Sequence, residues 1–305
     1  MKKLISDQRI FMNTLVEFIA WSDLDRDKIH ETFDLGFQQF HFVIERFSRF
    51  NKESELYRLN LSGNKKVNVS EELFNLLKYS IEIAEKTNGA YDPTIIDILE
   101  AYGYDAQYKF EKLHNKAILK KEIQNILKIR SSYKEIQLYP RSCSVKLARG
   151  QRLDFGSIGK GYAVDKAYKK LNPLSNFLIN AGGDIKAMGE YKDKKPWLVG
   201  LKVPKLGTIG RIRLQNESIC CSGSWARKVK FFHHLVSPLN GKPQNRFQTI
   251  FVKAKNAINA DAWATALFVY KKDIYELIRK NNLKALLVYK NNKIKNIGIK
   301  LINSR

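Results

Sequence analysis

The chain has 305 residues, of which 54 are Lys or Arg and 30 are Asp or Glu, so its formal net charge is +24 at pH 7. Its 44% hydrophobic and 28% charged residues are typical of a globular protein with a sizeable core. No apolar run approaches the roughly 18 residues that a membrane-spanning helix needs. Three cysteines, two of them adjacent, exclude a disulfide framework and a zinc site as the basis of the fold.

The elements predicted for the first half of the chain follow from apolar periodicity and from capping residues. Ser70, followed by Glu71 and Glu72, is typical of a helix start, and Asn88–Gly89 is typical of a helix end. The predicted elements are a strand over Arg9–Trp21, a helix capped by Ser22 or Asp23, a polar turn near Ser62–Asn64, the helix after Ser70, a lysine-rich helix over Glu111–Arg130, and a hairpin formed by KEIQLYP and SCSVKLA.

The second half alternates between short strands and helices. A helix over about Tyr162–Leu171 is followed by FLINAGGDI, a strand that ends in a tight Gly182–Gly183 turn. The remaining predictions are strands over Trp197–Val203, Arg211–Leu214, Ser218–Cys221, Phe231–Ser237 and Thr249–Ala254, a helix with an apolar face over NADAWATALFVY, a helix over Asp273–Asn282, and a closing hairpin through Asn291–Asn292. Hairpins with segregated helices predict an α+β fold and not a doubly wound parallel sheet.

The strong positive charge admits a nucleic acid, an anionic membrane surface or an anionic substrate as a partner. However, the basic residues are scattered along the chain, and the sequence has no RNP motif, zinc-finger spacing or long basic arm. We therefore expect no nucleic-acid partner and interpret the lysines as solvated faces. The N-terminal segment lacks the apolar core of a signal peptide, which predicts a cytoplasmic protein, or a periplasmic or membrane-anchored one if a leader has been removed.

Three glycines surround a lysine in LDFGSIGKGYAVDKA, which runs from Leu153 to Ala167. The spacing G-x-x-G-x-G is neither the dinucleotide-binding pattern nor the P-loop pattern. The segment alone leaves two interpretations open, a plain strand-to-helix turn or a backbone that a phosphate approaches closely.

Two further segments carry candidate chemistry. Asp261 and Thr265 are four residues apart on a predicted helix, so they share one face and could bind Mg²⁺. The pattern D-x-x-x-T is common, however, and taken alone it favours a helix-capping role. His233 and His234 precede a proline-bounded loop, and either could be structural or catalytic. Arg227 follows a Ser222–Gly223 turn and is a candidate phosphate partner.

These segments occur in the order FMNT, RFNKESELYRLN, GAYDPT, LDFGSIGKGYAVDKA, LINAGGDIKAMG, CCSGSWAR, HHLVSPLNGKP and NADAWATAL. In this order they resemble the ApbE-like family of FAD:protein FMN transferases, from about Phe11 to about Tyr270. The resemblance implies an α+β fold with mixed, largely antiparallel sheets and packed helices. It also implies a single domain over residues 1–305, or two intimately packed subdomains within it. Such a protein uses Mg²⁺ and FAD to attach FMN to a Ser or Thr of a target flavoprotein.

The resemblance implies a role for each matching position. The metal ligands would be Ser157, through its backbone carbonyl, Asp261 and Thr265. The FAD-contacting positions would be Met12, Phe50, Ala90, Tyr91, Asp92, Asp154, Lys160, Leu235 and Ala264. His234 is the candidate general base because imidazole titrates near neutrality, and Asp261 is a poorer candidate because it would bind the metal.

Three motifs depart from the family pattern. Asn13 replaces the glycine of M-G-T, Cys220–Cys221 stand in place of Ser-Thr before Ser222–Gly223, and Ser237 replaces the acid of D-P-x-T-G. We expect an active transferase that releases AMP. The alternatives are an FAD-binding protein or FAD pyrophosphatase without protein transfer, and a basic protein that binds nucleic acid or a membrane surface. We expect membrane contact only through the acceptor protein or a removed leader.

Overall fold

The computed structural model describes residues 2–105, 115–227 and 232–302. Its strands are β1 (Lys3–Phe11), β2 (Thr14–Ser22), β3 (Lys66–Asn68), β4 (Gln137–Tyr139), β5 (Ser144–Lys146), β6 (Phe177–Ala181), β7 (Asp184–Met188), β8 (Trp197–Val203), β9 (Gly207–Leu214), β10 (Glu217–Gly223), β11 (Phe247–Ala254), β12 (Lys284–Tyr289) and β13 (Ile294–Ile297). Eight strands form one sheet in the order β1-β2-β6-β7-β10-β11-β12-β13, and two smaller sheets have the orders β3-β5-β4 and β8-β9.

The helices are α1 (Arg26–Phe47), α2 (Glu55–Asn60), α3 (Glu71–Lys86), α4 (Ile96–Ala101), α5 (Lys116–Ile129), α6 (Gly159–Lys170), α7 (Ala257–Val269) and α8 (Ile274–Lys280). Every strand pair of the described residues is antiparallel. This arrangement confirms the predicted α+β class with largely antiparallel sheets and packed helices. Among these helices, none combines the length and hydrophobicity that crossing a bilayer requires.

The eight-stranded sheet is covered on both faces. Successive side chains of a strand point to opposite faces, and apolar side chains occur on both. On β2, Val16 and Phe18 pack into the main core, whereas Trp21 packs into a second core under the β8-β9 hairpin. The main core lies between the sheet and helices α1, α6 and α7. This sandwich holds α7 at the centre of the molecule, where Asp261 is only 3% exposed.

Several predicted elements have the expected bounds or caps. Strand β8 has the predicted bounds, and the Ser70 hydroxyl accepts a hydrogen bond from the Leu73 backbone N–H at 3.2 Å as the cap of α3. The closing hairpin pairs β12 with β13. The predictions for KEIQLYP with SCSVKLA and for the Gly182–Gly183 turn are also confirmed, since β4 pairs with β5 and β6 with β7.

Several predicted elements were wrong or shifted, and one helix was not predicted. The single strand over Arg9–Trp21 is a hairpin, in which Met12 and Asn13 form the turn with φ of 51° and 58°. The first helix begins at Arg26, not after Ser22 or Asp23, and the segment before Ser62 contains the unpredicted helix α2. The helix predicted from Glu111 begins at Lys116 with Asn115 as its cap, and residues 111–114 lie outside the described residues.

The strand predicted over 231–237 is irregular where it is described, with an isolated bridge between Val236 and Pro243, and residue 231 lies outside the described residues. Helix α7 is not amphipathic as predicted, since ten of its thirteen residues are buried where the sheet, α3 and α6 pack against it. A helix that is apolar all round is the form expected at the centre of a core.

Candidate active site

A cleft of about 390 Å³ opens beside the C-terminal end of α1. Every predicted site residue except Asp261 and Ala264 lines it: Met12, Phe50, Ala90, Tyr91, Asp92, Asp154, Ser157, Lys160, His234, Leu235 and Thr265. Asp261 and Ala264 are buried on α7 behind its wall. The volume lies in the range of small-molecule sites, and the structure brings together residues that are far apart in the chain.

The glycine cluster is explained first by close packing. The backbone N–H of Gly161 donates a hydrogen bond to Asp261 Oδ2 at 2.9 Å. A Cβ atom added at Gly161 would lie 2.5 Å from the backbone oxygen of Ala257 and 2.8 Å from Asp261 Cβ. The third glycine therefore lets α6 approach α7 closely enough to bind the carboxylate of Asp261, whereas Gly159 has open space around it. A turn at residues 156–158 precedes α6, as predicted, and the close approach seen at Gly161 is that of α7. The approach of a phosphate to this backbone stays a prediction.

Gly161→Ala is expected to lower the free energy of unfolding by about 1–3 kcal/mol, the usual cost of overpacking a core. The added methyl group has a backbone carbonyl as its neighbour, which cannot rotate away as a side chain would. Urea denaturation measures the change, and Gly159→Ala is the matched control in the same helix. Equal stability of the two variants would show that α6 and α7 can separate without cost.

Two buried carboxylates and one ammonium form a charged cluster behind the cleft. Lys160 Nζ pairs with Asp184, whose other oxygen accepts a hydrogen bond from the Cys221 backbone N–H at 3.3 Å. Burial lowers the pKa of Lys160, but the carboxylates of Asp184 and Asp261 outweigh this effect and raise it above its ordinary value. Burial and the charge of Asp184 raise the pKa of Asp261 to about 7. When Asp261 is ionised, two carboxylates face one ammonium, and the cluster has an excess of negative charge.

The residues around Asp261 fit a hard cation. Thr265 Oγ1 lies one helical turn from Asp261 and 3.0 Å from Ser222 Oγ. Ser157 Oγ donates to the Tyr91 hydroxyl at 2.9 Å, so its side chain has a partner and its backbone carbonyl would be the ligand. A carboxylate, a hydroxyl and a carbonyl are oxygen donors of the kind that Mg²⁺ prefers, and the excess negative charge favours a cation. No group of three His, Cys, Asp or Glu suited to a metal occurs in the described part of the chain.

The two adjacent histidines have different environments. His233 is 2% exposed. Its Nε2 lies 3.3 Å from Asn245 Oδ1, and its Nδ1 accepts a hydrogen bond from the Leu235 backbone N–H. His234 lines the cleft, and its Nδ1 has no hydrogen-bond partner among residues 2–105, 115–227 and 232–302. Burial, followed by the positive charge of Arg227, lowers the pKa of His234 to about 3. The prediction that this imidazole titrates near neutrality is therefore wrong for the ligand-free protein.

The cleft is also lined by a partly exposed aromatic ring that contacts an arginine. Phe50 is 42% exposed, and the Arg49 guanidinium lies 4.1 Å from the centre of its ring. Arg49 Nε donates to Asp154 at 3.0 Å, and the Gly156 backbone N–H donates to the other oxygen of that carboxylate at 3.1 Å. The guanidinium thus orients a ring that is partly exposed at the cleft.

Asp92 has a structural role in the wall of the cleft. Its carboxylate accepts from Arg130 at 3.0 Å and from the Thr94 hydroxyl at 2.7 Å. Arg130 also donates to the carbonyl of Pro238, which links the wall to the loop that carries His234. Because the carboxylate already has these partners, a ligand would contact this segment through its backbone or through Ala90 and Tyr91.

The sequence did not reveal three of the residues that organise the site. Arg49 and Asp154 are 105 residues apart, Arg130 and Asp92 are 38 apart, and Asp184 and Lys160 are 24 apart. Ion pairs at such separations leave no local pattern. The available signal for Arg49 is its position directly before Phe50.

The turn at Met12 and Asn13 explains one departure from the family pattern. Both residues have positive φ, as the central residues of a tight hairpin turn must, and Asn accepts this conformation more readily than most residues. Met12 accepts it less readily, and it lines the cleft. Strained backbone of this kind is concentrated at functional sites.

Comparison with known proteins gives consistent results. The chain is 28% identical over 278 residues to the FAD:protein FMN transferase of Haemophilus influenzae, covering 86% of this chain and 78% of that protein. It is 26% identical over 323 residues to the same-named protein of Treponema pallidum, covering 95% and 86%. The ApbE protein of Thermotoga maritima superposes with a TM-score of 0.86 at 27% identity, covering 97% of each chain. The flavin transferase ApbE of Vibrio cholerae superposes at 0.84 and 20% identity, which supports the fold alone.

The fold, the cleft and these relatives together define an enzyme of the transferase class. Residues 12–287 match the model of the ApbE family, and the chain belongs to that family. The match covers every predicted site residue and confirms the resemblance that the ordered motifs indicated.

Proposed function

We propose that the protein is a Mg²⁺-dependent FAD:protein FMN transferase, which moves FMN from FAD to a Ser or Thr hydroxyl of an acceptor flavoprotein and releases AMP. One observation carries the proposal: a single cleft joins an exposed, arginine-held aromatic ring at Phe50 to the oxygen donors of Thr265 and Ser157. The names of the curated relatives support the same reaction.

The two ends of the cleft suit the two chemical parts of FAD. Phe50 and the apolar side chains of Val43, Ile44 and Leu76 offer surfaces for a planar ring. Arg227 lines the same cleft and provides a guanidinium for phosphate oxygens. FAD would therefore lie with a ring on Phe50 and its diphosphate near Arg227 and Thr265.

The metal would be held by Asp261, Thr265 and the carbonyl of Ser157. Mg²⁺, when bound, would neutralise the diphosphate and stabilise the charge that develops on the transferred phosphoryl group. The Gly161 N–H fixes the Asp261 carboxylate at 2.9 Å, and Ser222 fixes the Thr265 hydroxyl at 3.0 Å. Both donors are thus oriented by the fold, which is the supporting arrangement that metal ligands require.

In the transfer step, the acceptor hydroxyl oxygen forms a bond to the FMN phosphorus. The bond between that phosphorus and the oxygen shared with the AMP phosphate breaks, and AMP leaves with the bonding electrons. His234 is the candidate to take the hydroxyl proton, because its imidazole is unprotonated and its Nδ1 lacks a partner among the described residues. The negative diphosphate beside it would raise its pKa and make it a stronger base than in the free protein.

The direct test is incubation of the protein with FAD, Mg²⁺ and candidate flavoprotein subunits, followed by mass spectrometry. The proposed function requires that an acceptor gains one FMN at a Ser or Thr and that AMP appears in equal amount. Conversion of FAD to FMN and AMP with every acceptor unmodified would favour the pyrophosphatase alternative. FAD binding without turnover would favour a binding protein.

Phe50→Ala is expected to weaken FAD binding by about 10- to 100-fold, because stacking on an aromatic side chain contributes roughly 1–3 kcal/mol. Its circular dichroism spectrum should stay unchanged, since the ring is 42% exposed. Leu61→Ala is the control, because Leu61 is 69% exposed and does not line the cleft. Normal FAD affinity in Phe50→Ala, with early melting, would assign the ring to packing alone.

A further inference from the structure

A second groove lies on the side of α7 away from the cleft and encloses about 450 Å³. Thr265 faces the cleft, whereas Asn259 and Trp263 of the same helix line the groove. The proposed transfer reaction uses none of the residues in this groove.

The groove is strongly basic. Lys86, Lys253, Lys255 and Lys284 are four of its eleven lining residues, and Glu217 is its one carboxylate. Glu217 pairs with Lys253 at 2.5 Å. Lys86, Lys255 and Lys284 have no carboxylate partner within residues 2–105, 115–227 and 232–302. Three exposed lysines therefore line one groove and have no carboxylate partner among the described residues.

The strand register adds a fourth lysine next to one of these three. Lys253 of β11 lies directly opposite Lys284 of β12, and its ion pair with Glu217 offsets part of their repulsion. Like charges in directly opposed positions of an antiparallel pair destabilise a sheet. Such a pair beside two further lysines is unfavourable for the local structure, and residue choices of this kind are concentrated at functional positions.

Neutral donors accompany the lysines at the groove. Trp263 is only 5% exposed, and its indole N–H donates no hydrogen bond within the described part of the chain. The Asn259 side-chain oxygen accepts from the Tyr79 hydroxyl, so its amide N–H₂ group remains available as a donor. The groove thus combines cationic and neutral donors, which matches a ligand that is negative and rich in acceptors.

We propose that this groove binds a small phosphate-bearing anion, either a free inorganic phosphate or the phosphate of a nucleotide. The volume lies in the range of small-molecule sites, which favours a compact ligand over a nucleic-acid strand. Ammonium groups bind phosphate as point charges, and a dianion in the groove would supply the counter-charge that Lys86, Lys255 and Lys284 lack among the described residues.

The test uses the full chain in EDTA at low, constant ionic strength, with sodium pyrophosphate as the probe. Tryptophan emission is followed during titrations of the wild-type protein and of Trp263→Phe. The part of the emission change that is absent in Trp263→Phe measures binding at the groove. Replacing Lys86, Lys255 and Lys284 together by Gln should raise the midpoint of that part by about tenfold or more. Replacing Lys120, Lys121 and Lys128 of α5 by Gln removes the same charge elsewhere and should leave the midpoint unchanged.

Parallel titrations with AMP and with a poly-glutamate peptide identify the source of the anion. A lower midpoint for AMP than for pyrophosphate would assign the site to a nucleotide, and the reverse would assign it to the free anion. The proposal is overturned if no change depends on Trp263, if both lysine triples weaken binding equally, or if poly-glutamate gives the groove response at a lower concentration than either phosphate. Should the groove triple fail to fold, Lys284→Gln alone keeps the test, because it removes the cross-strand pair and should also raise the midpoint.

Discussion

Asp261→Asn is expected to remove most Mg²⁺-dependent turnover, by about 10³-fold or more, while the fold stays intact. The exchange keeps the size of the side chain, and its amide oxygen can still accept from the Gly161 N–H. It removes the one carboxylate of the proposed metal set, and a metal that stabilises the transferred phosphoryl group contributes several kcal/mol. Turnover of FAD with and without Mg²⁺, together with the circular dichroism spectrum, measures both expectations.

Asp165→Asn is a matched control for this variant. Its carboxylate caps the start of the same helix through the backbone N–H groups of Ala257 and Ile258, at 3.0 and 2.9 Å. It should cost stability and leave the Mg²⁺ dependence unchanged. Full activity of Asp261→Asn, or of the wild-type protein in EDTA, would remove Asp261 from the metal site.

The raised pKa of Asp261 predicts how stability and metal binding change with pH. A carboxyl with a pKa of about 7 in the folded chain keeps its proton at pH values where the unfolded chain has lost it. Without metal, the protein should therefore lose stability as the pH rises from about 4 to about 7. Since Mg²⁺ must displace that proton, its apparent affinity should fall by up to about tenfold per pH unit below 7. Melting curves at pH 6 and 8, with and without Mg²⁺, test both trends, and a pH-independent Mg²⁺ effect would contradict them.

Capping residues and apolar alternation predicted those helices and strands that short-range interactions stabilise. Ser70 with its acidic first turn marked α3, and the alternation over Trp197–Val203 marked β8. The turn at Met12 and Asn13 was missed because neither residue is a glycine, although both have positive φ. Residues 231–237 are rich in apolar side chains that predict a strand, but most of the described ones are buried in a loop. That the whole chain forms one domain stays a prediction.

The sequence predicted candidate site residues, most of which line one cleft, but it did not predict the residues that support them. An ordered set of short motifs pointed to His234, Asp261 and Thr265, because such motifs keep chemistry at fixed positions in a chain. The fold showed contacts between residues that no motif connects, such as the Lys160–Asp184 pair and the close approach of Gly161 to Asp261. The same reasoning failed for the pKa of His234, since burial and nearby cations depend on the assembled cleft.

His234→Gln is expected to lower transfer by about 10²–10⁴-fold, the usual contribution of general acid–base catalysis, while FAD and Mg²⁺ bind almost normally. Gln has a similar reach but no basic nitrogen. Because burial and the charge of Arg227 lower the pKa of His234 to about 3, the free enzyme should show no limb from this group in the pH profile of kcat/KM between pH 5 and 8. With FAD bound, the diphosphate should raise the pKa of His234, so the corresponding limb in the pH profile of kcat should occur at a higher pH.

His30→Gln is the neutral control, because His30 lies on α1 outside the cleft. His233→Gln serves a different purpose: His233 is buried against Asn245 and the Leu235 N–H, so its loss should lower the melting temperature and affect transfer only through stability. Transfer and melting temperature measured on all three variants separate catalysis from folding. If His234→Gln transfers FMN at the wild-type rate, the acceptor proton goes to another group, and Asp261 or a metal-bound hydroxide becomes the next candidate.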